Sequence, residues 1–147
     1  MMRAITLLIV TASMVSLNSG ANAATLINDA EAQLPAAKAI ATRSITRGPA
    51  IKVIAPDPSI EKIASPFKLH IAFEARGGAR IDPASVRMTY LRTPAVDLLE
   101  RVKPGLSERG IELSSAEVPA GEHQIRVVVQ DSEGRETSSI INLNVVK

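Results

Sequence analysis

The chain has 147 residues, 17 basic against 15 acidic side chains, no cysteine and no tryptophan. That length holds one domain with its own core, and the absence of cysteine excludes thiol catalysis, disulfide staples and cysteine-based zinc sites. Lys and Arg alternate with Glu and Asp throughout, so the small positive excess does not form the concentrated basic stripe of a nucleic-acid binder.

Residues 1–23 read as a secretory signal peptide. Arg3 supplies the positive start, Ala4 to Leu17 a mostly apolar run, and Ala21-Asn22-Ala23 the small-x-small pattern ahead of cleavage. Thr11, Ser13 and Ser16 interrupt the run, which argues against a membrane anchor of about 20 apolar residues. No later stretch approaches that length, so the mature chain is expected to be soluble and periplasmic or secreted. Residues 24–47 are Ala-rich, with Pro35 in the middle, and are expected to form a tether. Asn28 is placed to cap one helical turn over Asp29-Ala30-Glu31-Ala32, too short for a stable lone helix.

Gly48-Pro49 opens a stretch of strand texture that runs to residue 147. Ile51 and Val53 give a short strand closed by Pro56 and Pro58. Phe67, Leu69, Ile71 and Phe73 alternate with Lys68, His70, Ala72 and Glu74, the period of a half-buried strand. Gly77-Gly78 is a turn, after which Val86, Met88 and Tyr90 point inward. Residues 96–102 fit either a short strand or a helical turn. Gly110, Ile111 and Leu113, with Ala116 and Val118 beyond, make a further short strand. His123, Ile125, Val127 and Val129 then face the row Ser139, Ile141, Leu143 and Val145 across the turn Asp131-Ser132-Glu133-Gly134, the pattern of a β-hairpin. About seven short strands at this spacing predict an all-β, two-layer antiparallel sandwich.

Three stretches, "GPAIKVIAPDPS", "SPFKLHIAFEARGGARIDPASVRMTYL" and "VPAGEHQIRVVVQDSEGRETSSIINLNV", resemble exported bacterial immunoglobulin-like and fibronectin-III-like domains. The resemblance covers residues 48–147 and implies an immunoglobulin-like sandwich. The chain lacks the paired cysteines and core Trp of antibody domains, and a shared fold does not transfer a function.

The candidate site residues have structural readings. His123 is in register with the inward valines and is placed to bond a nearby loop through a ring nitrogen. Asp131 is placed to accept backbone N–H groups in its turn, with Gly134 at positive φ. His70 faces outward. Asp131, Glu133 and Asp82 are loop carboxylates of a kind that binds calcium, but the turn role accounts for Asp131 without an ion. No nucleophile elbow, Ser-x-x-Lys stretch or phosphate loop occurs. The expectation is a non-catalytic domain without cofactor or metal, binding a protein or cell-envelope partner through strand edges or loops. The competitors are a carbohydrate- or peptidoglycan-binding module, which needs exposed aromatics, and a small hydrolase using His123 with a carboxylate.

Overall fold

The computed structural model describes residues 24–38 and 47–147. The expected signal peptide, and residues 39–46 of the expected tether, lie outside the described residues.

Strand β1 is Ala24–Thr25 and helix α1 Asp29–Ala32. Then come β2 (Ala50–Ala55), β3 (Ile63–Ala64), β4 (Phe67–Glu74), β5 (Ile81–Tyr90), β6 (Val96–Asp97), helix α2 (Leu99–Val102), β7 (Leu106–Ser107), β8 (Gly110–Glu117), β9 (Gly121–Asp131) and β10 (Glu136–Val146). Among the described residues they form two sheets. One has the order β1-β8-β4-β2, with β7 also on β8; the other has the order β3-β10-β9-β5-β6. This is the expected all-β, two-sheet class. Six strands are long, and four are two-residue pieces that pair at the ends of longer neighbours.

The alternation decides which faces meet. Phe67, Leu69, Ile71 and Phe73 of β4 are buried, as are Val86, Met88 and Tyr90 of β5, Ile125, Val127 and Val129 of β9, and Ile141, Leu143 and Val145 of β10. Each fully buried aliphatic side chain contributes roughly 1.5–3 kcal/mol, so a one-residue slip of any of these strands would expose a whole row. Pro83 has no N–H for the ladder, and the β5–β9 register shifts between Asp82 and Arg87 around it. Gly110 lies where β8 passes closest to β4: its φ is +139°, and a Cβ there would sit 1.9 Å from the Ile71 carbonyl oxygen.

Residues 96–102 turn out to contain both alternatives, since Val96–Asp97 pairs with β5 and Leu99–Val102 is a helical turn. Leu98 and Val102 are fully buried beneath it.

Residues 24–38 correct the tether expectation. β1 pairs in parallel with the end of β8, Ala24 opposite Ala116, and Leu26 and Ile27 are buried in the core. The expected helical turn is present: the Asn28 side chain accepts the Glu31 N–H at 2.8 Å, and Glu31 accepts the Asn28 N–H at 3.1 Å. Arg101 then anchors the segment by donating to the Leu26 carbonyl at 2.9 Å and, with two nitrogens, to both Glu31 carboxylate oxygens at 2.7 and 2.5 Å. The bidentate bond from Arg101 holds the Glu31 carboxyl below its ordinary range, against the opposing effect of partial burial. Further along, Ala36 bridges Arg92. The segment crosses one end of the sandwich from the first sheet to the second. Its composition is weak in apolar residues, but two adjacent ones at the right place suffice when the rest of the hold comes from distant arginines.

Candidate functional site

A buried chain of hydrogen bonds lies where the end of β5 meets the start of β9. His123 opens the inward row of β9 and is 2% exposed. Its Nε2 is 2.7 Å from the Pro119 carbonyl oxygen and its Nδ1 2.7 Å from the Tyr90 hydroxyl. A carbonyl only accepts, so Nε2 carries the hydrogen; Nδ1 of the neutral ring is then the acceptor, and the Tyr90 hydroxyl donates to it. The Tyr90 oxygen in turn accepts from Arg92 Nε at 2.8 Å, and the Arg92 guanidinium lies 5.0 Å from the centre of the Tyr90 ring. The other Arg92 nitrogens donate to the Leu34 and Glu122 carbonyls at 3.0 and 3.1 Å. The donors run in one direction, from Arg92 to Tyr90 to His123 to Pro119. Burial pushes the His123 pKa below its ordinary value of 6.5; the Pro119 bond opposes this and the Arg92 charge adds to it.

His123 therefore points inward and bonds the loop ahead of its own strand. Both ring nitrogens are engaged within the protein, by the Tyr90 hydroxyl and the Pro119 carbonyl, and among the described residues no carboxylate is bonded to the ring, so the arrangement offers no nitrogen to a substrate. The sequence reading missed its partner. Tyr90 is the only tyrosine, and an inward tyrosine needs a mate for its hydroxyl; that need was the available signal.

Asp131 and Gly134 hold the β9–β10 turn. Asp131 Oδ1 accepts the Glu133 and Arg135 N–H groups at 2.9 and 3.0 Å, and Oδ2 accepts from Arg135 Nε at 2.8 Å. Gly134 has φ +77°. Burial alone would raise the Asp131 pKa, but the two amides and the Arg135 guanidinium outweigh it and hold the carboxyl below its ordinary value of 3.8. A carboxylate with a depressed folded pKa stabilises the fold above the unfolded pKa and loses that contribution as pH falls through the folded one. Wild-type Tm should therefore drop below about pH 4. In Asp131→Asn, Tm at neutral pH should already be several degrees lower and this acid-dependent step should be smaller, as read by thermal melts from neutral pH to about pH 3. Asp82 has its own local role, accepting the Ala84 N–H at 3.0 Å. Among the described residues, no group of three or more His, Asp or Glu side chains is placed to hold a metal ion. His70 is half-buried on β4, on the face away from the core.

Two surface features lie beside this framework. A cavity of about 680 Å³ on the second sheet is lined by Ile60, Leu91, Arg92, Glu122, His123 and Asn142, among others. A groove of about 270 Å³ adjoins it between Val53, Ile60 and Ile63 on one side and Ile140 to Leu143 on the other. The second feature is the outer edge of β10. β3 covers only Val145 and Val146 there, in parallel. Among the described residues, Ser138 to Asn144 pair with no strand on that side, although β2 passes close to β10 across the groove. This edge carries no charged residue, and among the described residues Ile54 of β2 and Ile60, in the chain leading to β3, are large apolar side chains exposed to solvent.

No family model, curated protein or solved structure matches the chain.

Proposed function

We propose that the chain is an exported, non-catalytic binding domain of immunoglobulin-like type, which holds an extended segment of a partner protein along the edge of β10. The observation that carries this is the stretch Ser138 to Asn144, seven residues of edge with neither a partner strand among the described residues nor a charge to repel one. Natural sheets usually protect such edges with lysines, prolines or bulges, and strand addition at an open edge is a recurrent mode of peptide recognition. The adjoining apolar groove gives alternate side chains of an incoming strand a place to bury.

The immunoglobulin-like reading is supported by the strand order: the chain leaves the first sheet after β2, crosses past Pro56 and Pro58, and joins the second sheet at β3 against the last strand. Export is supported by the composition of residues 1–23. The carbohydrate alternative loses support because Phe67, Phe73 and Tyr90, the only aromatic residues, are all buried. The hydrolase alternative loses support because His123 has no free ring nitrogen.

The test is in-cell photo-crosslinking with a photoreactive residue at position 142, compared with one at the exposed position 68 of β4. A discrete adduct is expected at 142 and not at 68, and Ile140→Lys should lower its yield about tenfold by placing a charge on the edge. Equal adducts from both positions, or a yield at 142 indifferent to Ile140→Lys, would refute edge recognition.

A further inference from the structure

The hydrogen-bond chain at His123 has a direction, and it starts at a side chain, Arg92, that also bonds the amino-terminal segment. Arg92 touches both the His123–Tyr90 pair and the amino-terminal segment. Its Nη1 donates to the Leu34 carbonyl at 3.0 Å. Around it the backbone pairs twice, Ala37 N–H to the Leu91 carbonyl at 3.2 Å and Thr93 N–H to the Pro35 carbonyl at 2.9 Å. Residues 33–38 are otherwise largely exposed or half-buried, with no fully buried side chain. By contrast, residues 26–31 are held by Leu26, Ile27 and Arg101. The segment therefore has a firmly held first half and a lightly held second half, kept in place by those two backbone bonds and the Arg92 guanidinium.

We infer that residues 33–38 form an acid-released strap, let go from Leu91–Thr93 when His123 takes up a proton. The Pro119 carbonyl fixes Nε2 as a donor, so the added proton must go to Nδ1. Nδ1 then becomes a donor aimed at the Tyr90 oxygen, which already accepts from Arg92 Nε. The Tyr90 hydrogen loses its acceptor, and two cations end up on either side of one hydroxyl. Relief comes from Arg92 moving away, because Arg92 is half-buried and at the surface while His123 is enclosed. Moving it breaks the bond to Leu34.

The other groups that face the ring do not cancel this. From β9, Glu122 is exposed and its carboxylate is not bonded to the imidazole; from the chain ahead of β3, Glu61 lines the outer cavity and is exposed. β10 contributes Leu143 opposite His123, flanked by the neutral Asn142 and Asn144. The strap itself contributes Ala36, which walls the 680 Å³ cavity. Release of the strap therefore removes one wall of that cavity.

The sign follows from linkage. A histidine whose folded pKa is depressed stabilises the closed state above the unfolded value of 6.5 and loses that contribution as pH falls below it, down to the folded value. The experiment is amide hydrogen exchange by NMR on the full chain at about pH 7.5 and about pH 5, expressed as protection factors. Protection at Ala37 and Thr93 should fall about tenfold at the lower pH while Val127 in the core is unchanged. His123→Gln, which does not titrate, should show no such pH step. Tyr90→Phe keeps the ring and its packing but removes the hydroxyl, so its strap should be poorly protected at both pH values. A strap that stays protected in wild type at pH 5, a pH step that persists in His123→Gln, or a Tyr90→Phe strap as protected as wild type would each overturn the inference.

Discussion

Gly110→Ala is expected to destabilise the protein by about 3–5 kcal/mol, enough to remove a large part of a typical domain's stability. The added methyl would sit 1.9 Å from the Ile71 carbonyl oxygen and 2.9 Å from its carbon, both of them backbone of the neighbouring strand. No rotamer relieves a clash with backbone. A φ of +139° is also unfavourable for any side chain. β8 would have to move off β4, and with it Ile111 and Leu113, which are buried on the same strand. Gly78→Ala is the matched control. It shares a positive φ, +75°, but a Cβ there meets nothing within 4 Å, so only the backbone strain of about 1–2 kcal/mol applies. Urea denaturation of the two variants separates the cases, and equal midpoints would mean that β8 and β4 do not approach as described.

The second large effect is at the amino-terminal segment. The double variant Leu26→Ala/Ile27→Ala should lose about 4–8 kcal/mol, since each buried Leu or Ile truncation costs about 2–5 kcal/mol and the two sites share neighbours. Both residues are essentially inaccessible to solvent and belong to the same core as Leu98 and Val102. Were residues 24–38 only a spacer, the double variant would melt with the wild type. Calorimetry decides between these outcomes with one pair of samples.

Those two positions mark where the amino-acid sequence was readable and where it was not. The rows of β4, β5, β9 and β10 were legible because period-two alternation over three or four apolar positions has only one economical burial. The Asp131 to Gly134 turn was legible because its chemistry is local: acceptor, donors and left-handed glycine all fall within five residues. The docking of residues 24–38 was not, because Leu26 and Ile27 are adjacent and carry no period, and the arginine that secures them lies far along the chain at position 101. The same holds for the site. The inward placement of His123 followed from its register with Ile125, but its pairing with Tyr90 depends on how β5 and β9 align, and Pro83 shifts that alignment in a way that alternation does not reveal. Of the two-residue strands only β6 was foreshadowed, as one alternative for residues 96–102; the other three were silent, since so short a pairing leaves no pattern.

The parallel pairing of Ala24 with Ala116 joins points roughly ninety residues apart, whereas the β9–β10 hairpin closes across its own short turn. Loop-closure entropy makes the distant pairing slow to form and the local one fast. Assembly should therefore begin at the carboxyl-terminal hairpin, and residues 24–27 should be among the last to dock. Until they do, the edge of β8 and the apolar surface around Leu98 stay open to solvent, a second exposed surface in addition to the unpaired stretch of β10.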